Sequence, residues 1–261
     1  MRTTRILPAA ALALLLAAPA FAATADFHWS RAIGSARTVE IRNINGAIHA
    51  EASKDGTLEV TAIRSSKKHD PESVEINVFE VDGRLTFCTL YPSRPGFPPN
   101  TCDERGNTSH SSSNSDVEVT YRVKVPAGVT LEARTVNGDV EARGMRGPVD
   151  ANTVNGEIRI TTSSWAEAST VNGGVAVAMS ASGWPDGLDF RTVNGSIVLD
   201  FSDAPNAELR AETMHGGIDS EFPLQVNGTI RRNRVQGRLG SGGPELALAT
   251  LNGSIELRRS R

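Results

Sequence analysis

Thr135-Val136-Asn137-Gly138, Thr153-Val154-Asn155-Gly156, Thr170-Val171-Asn172-Gly173 and Thr192-Val193-Asn194-Gly195 are one tetrapeptide written four times. Successive Asn residues stand 18, 17 and 22 positions apart. A unit of that length has room for two short strands and two turns, and its repetition says that one small element is stacked on itself. Related turns extend the series. Asn45-Gly46 comes early, Thr213-Met214-His215-Gly216 and Val235-Gln236-Gly237 read as degenerate copies, and Thr250-Leu251-Asn252-Gly253 closes it.

Lining up the copies on Asn exposes columns. Six residues before it stand Val39, Leu131, Val149, Ala166, Leu188, Leu209, Ile230 and Leu246; four before it, Ile41, Ala133, Ala151, Ala168, Phe190, Ala211, Arg232 and Leu248. Three residues after it come Ile48, Val140, Ile158, Val175, Ile197, Ile218, Leu239 and Ile255. The apolar period is two on both sides of the turn, which describes half-buried β-strands and excludes helix there. Two architectures satisfy it. An antiparallel meander would use each Asn-Gly pair as a type I′ hairpin turn, with positive φ at both residues. A single-stranded, parallel β-helix-like β-solenoid would instead stack Thr over Thr and Asn over Asn at roughly 4.8 Å, so that hydroxyls and amides bond along the stack. The all-β solenoid is the expected fold class, with seven or eight turns forming a rod of roughly 35 Å. Arg232, four residues before Gln236, and Ser241, at the inward position five residues after it where other copies carry Ala50, Ala142, Ile160, Val177, Leu199 and Leu257, mark the turn around Gln236 as irregular.

The interval between Asn45 and Asn137 has another texture, and residues 51–128 read as an elaborated end of the stack. Leu58 to Ile63 alternates as a strand, Val74 to Val81 and Arg84 to Tyr91 flank Asp82-Gly83 as a hairpin, and Asp116 to Val125 is another strand. Pro92 to Ser115, rich in Pro, Gly, Ser and Asn, is expected to be a mobile surface loop. Such an elaboration would cover strand edges that an open last unit leaves unpaired.

The chain opens with Arg2 and Arg5, an apolar stretch from Ile6 to Ala18 and small-residue sites at Ala20-Phe21-Ala22 and Ala23-Thr24-Ala25. This predicts a signal peptide over residues 1–22, cleaved after Ala22 or Ala25, and one domain over 23–261. With no second apolar run of that kind, no membrane-spanning segment is expected in the mature chain, nor a lipid-anchoring Cys; the expected location is the periplasm or beyond. Cys88 and Cys102 flank the Pro-rich loop and are expected to form a disulfide in that oxidising compartment. The net charge of −3 is scattered, which argues against nucleic acid as a partner.

An exported chain with Val125-Pro126-Ala127-Gly128 ahead of Leu131-Glu132-Ala133-Arg134-Thr135-Val136-Asn137-Gly138-Asp139-Val140 resembles the bacterial putative-adhesin family of unknown function. The resemblance covers roughly residues 35 to 258, its most specific part being the Asn-Gly column. It implies a β-solenoid in the cell envelope, and it brings no catalytic residues with it.

Candidate sites are few. Five residues before the turn, on the outward face, stand Glu40, Glu132, Asp150, Glu167 and Asp189. The last four would form an acidic ladder, either a cation-binding edge or a solvated face partly neutralised by Arg42, Arg134 and Arg191. Asn45, Asn137, Asn155, Asn172, Asn194 and Asn252, with Gly46, Gly138, Gly156, Gly173, Gly195 and Gly253, are read as structural turns, their Asn explained by backbone conformation. His28, His49, His69, His110 and His215 have no metal-ligand spacing. No catalytic residue, metal site or cofactor is assigned. The expected function is a non-enzymatic, adhesin-like module contacting an envelope protein, a polysaccharide or itself. The alternatives are a self-assembling structural protein and, behind it, a β-helix enzyme acting on polysaccharide.

Overall fold

A computed structural model describes residues 23–260 except 36, 104–105, 109–114 and 227–232. The expected signal peptide over 1–22, the column residues Ile230 and Arg232, and Glu104, Arg105 and His110 of the loop lie outside these. Over the described residues the fold is all-β, with two large, mostly parallel sheets and no closed barrel.

Each Asn-Gly turn carries the chain from a strand of the first sheet to a strand of the second. Thr130–Arg134 leads through Asn137 to Val140–Met145, Val149–Asn152 through Asn155 to Ile158–Thr162, and Ala166–Ser169 through Asn172 to Val175–Met179. Equivalent strands pair in parallel and in register, Leu131 beside Val149 and Val140 beside Ile158. The meander is thereby excluded within the repeats. Its turn geometry is absent too, since Asp82 is the only described residue other than Gly with positive φ. Asp82-Gly83, φ 49° and 78°, does join an antiparallel hairpin, Glu75–Val81 with Arg84–Leu90.

The inward columns form one core between the sheets. Val39, Ile41, Leu131, Ala133, Val149, Ile158, Phe190, Ile197 and Leu248 are all at most 1% exposed. Alternate residues point to opposite faces of a strand, so the column pattern alone decides which side is buried.

Both ends depart from the repeat. Beyond the Asn45 unit, the second sheet continues through Glu118–Val125 in parallel, then Thr57–Ser66 and Ala23–Ala32 antiparallel. The first sheet continues through Arg84–Leu90 and Glu75–Val81. Cys88 and Cys102 are joined, S–S 2.02 Å. The bridge ties the strand Arg84–Leu90 to a short ribbon, Thr101–Asp103 with Gly106–Thr108, inside the segment read as loop.

At the other end the spatial order is not the sequence order. The Asn252 unit, strands Glu245–Asn252 and Ile255–Arg259, lies between the Asn194 unit and the His215 unit. The Gln236 segment is not a turn: Arg234–Leu239 is a strand running antiparallel to Ala207–His215, with Gln236 opposite Arg210. Its period of two is real, but alternation carries no information about strand direction.

Candidate functional site

The turn edge is held by three columns. Each Asn donates from Nδ2 to Oδ1 of the Asn one unit below, Asn137 to Asn45, Asn155 to Asn137, Asn172 to Asn155, Asn194 to Asn172 and Asn252 to Asn194, every bond 2.8 Å. The amide ladder, rather than a special backbone conformation, therefore accounts for Asn. Thr hydroxyls do not bond to one another. They donate to the Gly carbonyl of the neighbouring unit, as from Thr153 to Gly138 (2.9 Å), Thr192 to Gly173 (2.8 Å) and Thr250 to Gly195 (2.8 Å). At the Asn45 unit, Asn43 takes the Thr position and donates to the Val119 carbonyl at 2.8 Å. The Gly column is fixed by close approach: a Cβ on Gly173 would lie 1.9 Å from the Gly156 carbonyl oxygen, and one on Gly253 2.0 Å from that of Gly195.

The outer face of the first sheet carries the remaining chemistry, as three parallel stripes. The acidic stripe is as read from the sequence, with Glu132 between Glu40 and Asp150, and Asp150 beside Glu167. Arg side chains, two residues along or, for Arg84, on the adjoining strand Arg84–Leu90, pair with it unevenly. Arg42 binds Glu40 at 2.8 Å, Arg84 binds Glu132 at 2.6 Å, Arg134 reaches Glu132 and Asp150 at 3.4 Å each, and Arg191 binds Asp189 at 2.6 Å. Glu40, 3% exposed, is a buried acid the sequence did not reveal. Burial alone would raise its carboxyl, but bonds from Arg42 and Thr86 and the Arg42 and Arg84 charges outweigh it and hold it below the ordinary range.

The middle of the stripe lacks that compensation, because Asn152 and Ser169 occupy the places that Arg holds elsewhere. Burial, with the charges of Glu132 and Glu40, raises the Asp150 carboxyl despite Arg134 and the Asn152 bond. Burial, with Asp150 and Asp189 on either side, raises Glu167. Among the described residues no group of three or more His, Cys, Asp or Glu side chains is placed to hold a metal ion.

The third stripe escaped the sequence reading. One residue before Asn has the same parity as the acids and arginines, so it also points outward. There stand Val136, Val154, Val171, Val193 and Leu251, each 37–39% exposed, with Met214 at 62%. The signal was in the repeated tetrapeptide itself, whose Val lies at an outward position in every copy. Over the half of the face nearer the His215 unit, a groove of about 590 Å³ runs between ridge and arginine stripe, lined by Val171, Val193, Leu251, Met214, Arg191 and Arg234.

The outer face of the second sheet is different. Its groove of about 460 Å³ is lined by charges that pair with one another, Lys124 with Glu59 at 2.8 Å, Arg143 with Glu141 at 2.5 Å and His49 with Glu141 at 3.4 Å. His69 binds Asp116 at 2.7 Å, and Asp116 also accepts from the backbone of Lys67 and Lys68.

No family model matches the chain, and no curated protein matches it. Among solved structures, the chain is similar to a putative cell adhesion protein of Clostridium sporogenes, 13% identical, covering 90% of this chain and 100% of that one, TM-score 0.48. It is also similar to putative adhesins of Bacteroides fragilis (10% identical, 90% and 97% covered, TM-score 0.35) and Parabacteroides distasonis (10% identical, 90% and 97% covered, TM-score 0.27).

Proposed function

We propose that this chain is an exported, non-enzymatic, adhesin-like contact module, a β-solenoid whose outer face on the first sheet meets another component of the cell envelope. The observation that carries the reading is the aliphatic ridge. Five aligned side chains, each more than one third exposed, stand where alternation would allow any polar residue. A continuous apolar line on a protein surface is characteristic of a surface that is covered in use. The acidic and basic stripes beside it are largely paired with each other, which leaves the ridge as the least satisfied part of the face.

Export is supported by the disulfide, which persists in oxidising compartments. The edge strand Ala23–Ala32 supports the earlier of the two expected cleavage sites, since cutting after Ala25 would remove pairing that begins at Ala23 opposite Ser66. A role in end-to-end self-assembly finds less support, because antiparallel strands cover the first sheet at both ends.

The test is capture of partners from envelope extract by the mature protein and by the ridge variants Val154→Arg and Val171→Arg, each first shown to be folded by circular dichroism. Glu59→Arg, on the other sheet, is the control. The reading expects a protein or polysaccharide, this chain itself included, retained by wild type and control but lost with both ridge variants. Equal retention by all four proteins would remove the ridge from the contact.

A further inference from the structure

An asparagine followed by glycine readily loses its amide, because glycine has no Cβ to keep its backbone nitrogen away from the asparagine Cγ. The described residues hold six such pairs on one edge, from Asn45-Gly46 to Asn252-Gly253. We infer that the amide ladder guards these pairs against deamidation, and that Asn252, at its open end, is the modification site of the folded protein.

The reaction needs only water. The Gly253 nitrogen, its proton removed by hydroxide, attacks Asn252 Cγ; the side-chain amide takes up a proton and leaves as ammonia, and a cyclic imide forms. Water then opens either imide carbonyl, leaving aspartate or an isoaspartate whose backbone carries one extra methylene. Attack requires the side chain to leave the ladder and swing over the glycine that follows it.

What the side chain must give up differs along the edge. Asn137, Asn155, Asn172 and Asn194 each hold two ladder bonds, donating from Nδ2 and accepting at Oδ1, all at 2.8 Å. Asn252 donates to Asn194 but has His215 on its other side, and its Oδ1 has no partner among the described residues. It therefore gives up one bond where the others give up two. Neither exposure nor the glycine separates the two cases. All five side chains are exposed, and each following glycine N–H is held by a carbonyl of the neighbouring unit, Gly156 by Asn172 at 3.0 Å and Gly253 by His215 at 3.1 Å. Asn45, at the ladder's other end, also makes a single ladder bond, but it is half-buried and Gly46 is buried against the Val119 backbone, which keeps hydroxide from its nitrogen.

The change spreads in one direction. A carboxylate at position 252 has no N–H to give Asn194 Oδ1 and sets acceptor against acceptor. Asn194 is then left with its single bond to Asn172, the state in which Asn252 began. The extra methylene of isoaspartate falls between Glu245–Asn252 and Ile255–Arg259, the two strands inserted between the Asn194 and His215 units.

Peptide mass mapping of the folded mature protein during incubation at mildly alkaline pH tests this, with the same chain in denaturant giving the unguarded rate of each site. The slowing on folding is expected to be roughly fivefold smaller at Asn252 than at Asn155 or Asn172, the worth of one hydrogen bond. Conversion at Asn194 is expected on molecules already converted at Asn252. His215→Asn supplies the missing donor and is expected to bring Asn252 to the interior value. Asn252→Asp, shown to be folded by circular dichroism, is expected to pass the weakness to Asn194 and leave Asn155 unchanged. Equal slowing at Asn252 and Asn155 in the wild type would overturn the inference, as would conversion of Asn252 that His215→Asn does not slow. Asn227-Gly228 lies outside the described residues and is scored apart.

Discussion

The units around Asn137, Asn155 and Asn172 and the segment from Ala207 to Arg259 use the same short strands and the same turn, yet obey different rules. In the first region, neighbours in space are neighbours in sequence, and the Asn and Thr columns each hold one residue type because each Asn bonds its own equivalent and each Thr the neighbouring unit's Gly carbonyl. In the second, the last unit enters between two earlier ones, one strand runs backwards, and His215 ends the amide ladder. Repetition is therefore enforced where stacking gives each residue an identical neighbour above and below, and it lapses where the neighbour differs.

The sharpest way to break the first region is Gly173→Ala. The added Cβ meets a backbone carbonyl at 1.9 Å, which must move with its whole unit. We expect a loss of about 3–5 kcal/mol, read as a fall in thermal midpoint. Adjacent Gly174, where a Cβ meets Ser196 O at an ordinary 3.5 Å, should tolerate Ala within about 0.5 kcal/mol. Equal effects would show that the column is not set by close approach.

Next comes the stapled end. Cys88→Ser with Cys102→Ser opens a loop with a sequence separation of 14 and should cost about 3 kcal/mol by denaturant titration. Hydrogen exchange should localise the loosening to the Arg84–Leu90 strand and spare the amides around Asn155.

Asn172→Ala removes one amide donor and one acceptor from the ladder, for an expected loss of about 1–2 kcal/mol. His215→Asn asks the converse question. If it extends the ladder to Asn252, the midpoint should rise slightly.

The smallest effect is Glu167→Gln. A carboxyl whose folded pKa is raised destabilises the fold above that pKa, and the penalty disappears as pH falls through it. The amide should therefore stabilise by about 0.5 kcal/mol or less at neutral pH, and the gain should vanish in acid. A gain that grows on acidification would reverse the sign assigned to this site.

Much of this was legible in the chain. Leu131, Ala133 and Val140 declared their parity, so strand identity and buried face followed, and Cys88 and Cys102 declared their bond. Asn was legible as a column and as amides bonding along the stack; Thr was legible as a column but not in mechanism, because a hydroxyl bonding to its own equivalent and one bonding to a carbonyl leave the same trace. Strand direction was not legible at Gln236, since Val235 and Leu239 alternate identically either way. The order of the last two units was hidden for a related reason: Leu246 fits beside Leu188 or Leu209 equally well, and only the assembled stack chooses both. Glu40 looked like any outward acid until Arg42, Arg84 and Thr86 closed over it.

The place of the Asn252 unit has a consequence for how the molecule comes into being. A chain delivered from its N-terminus presents Ala207–His215 before the strand it must lie against exists. Its parallel neighbour, Glu245–Asn252, begins 30 residues after His215. A product cut short at Pro244 is thus not a slightly shorter protein but one with a gap inside both sheets, its open strand edges ready to recruit other chains. Residues 245–259 act as a closing piece, without which neither sheet is continuous.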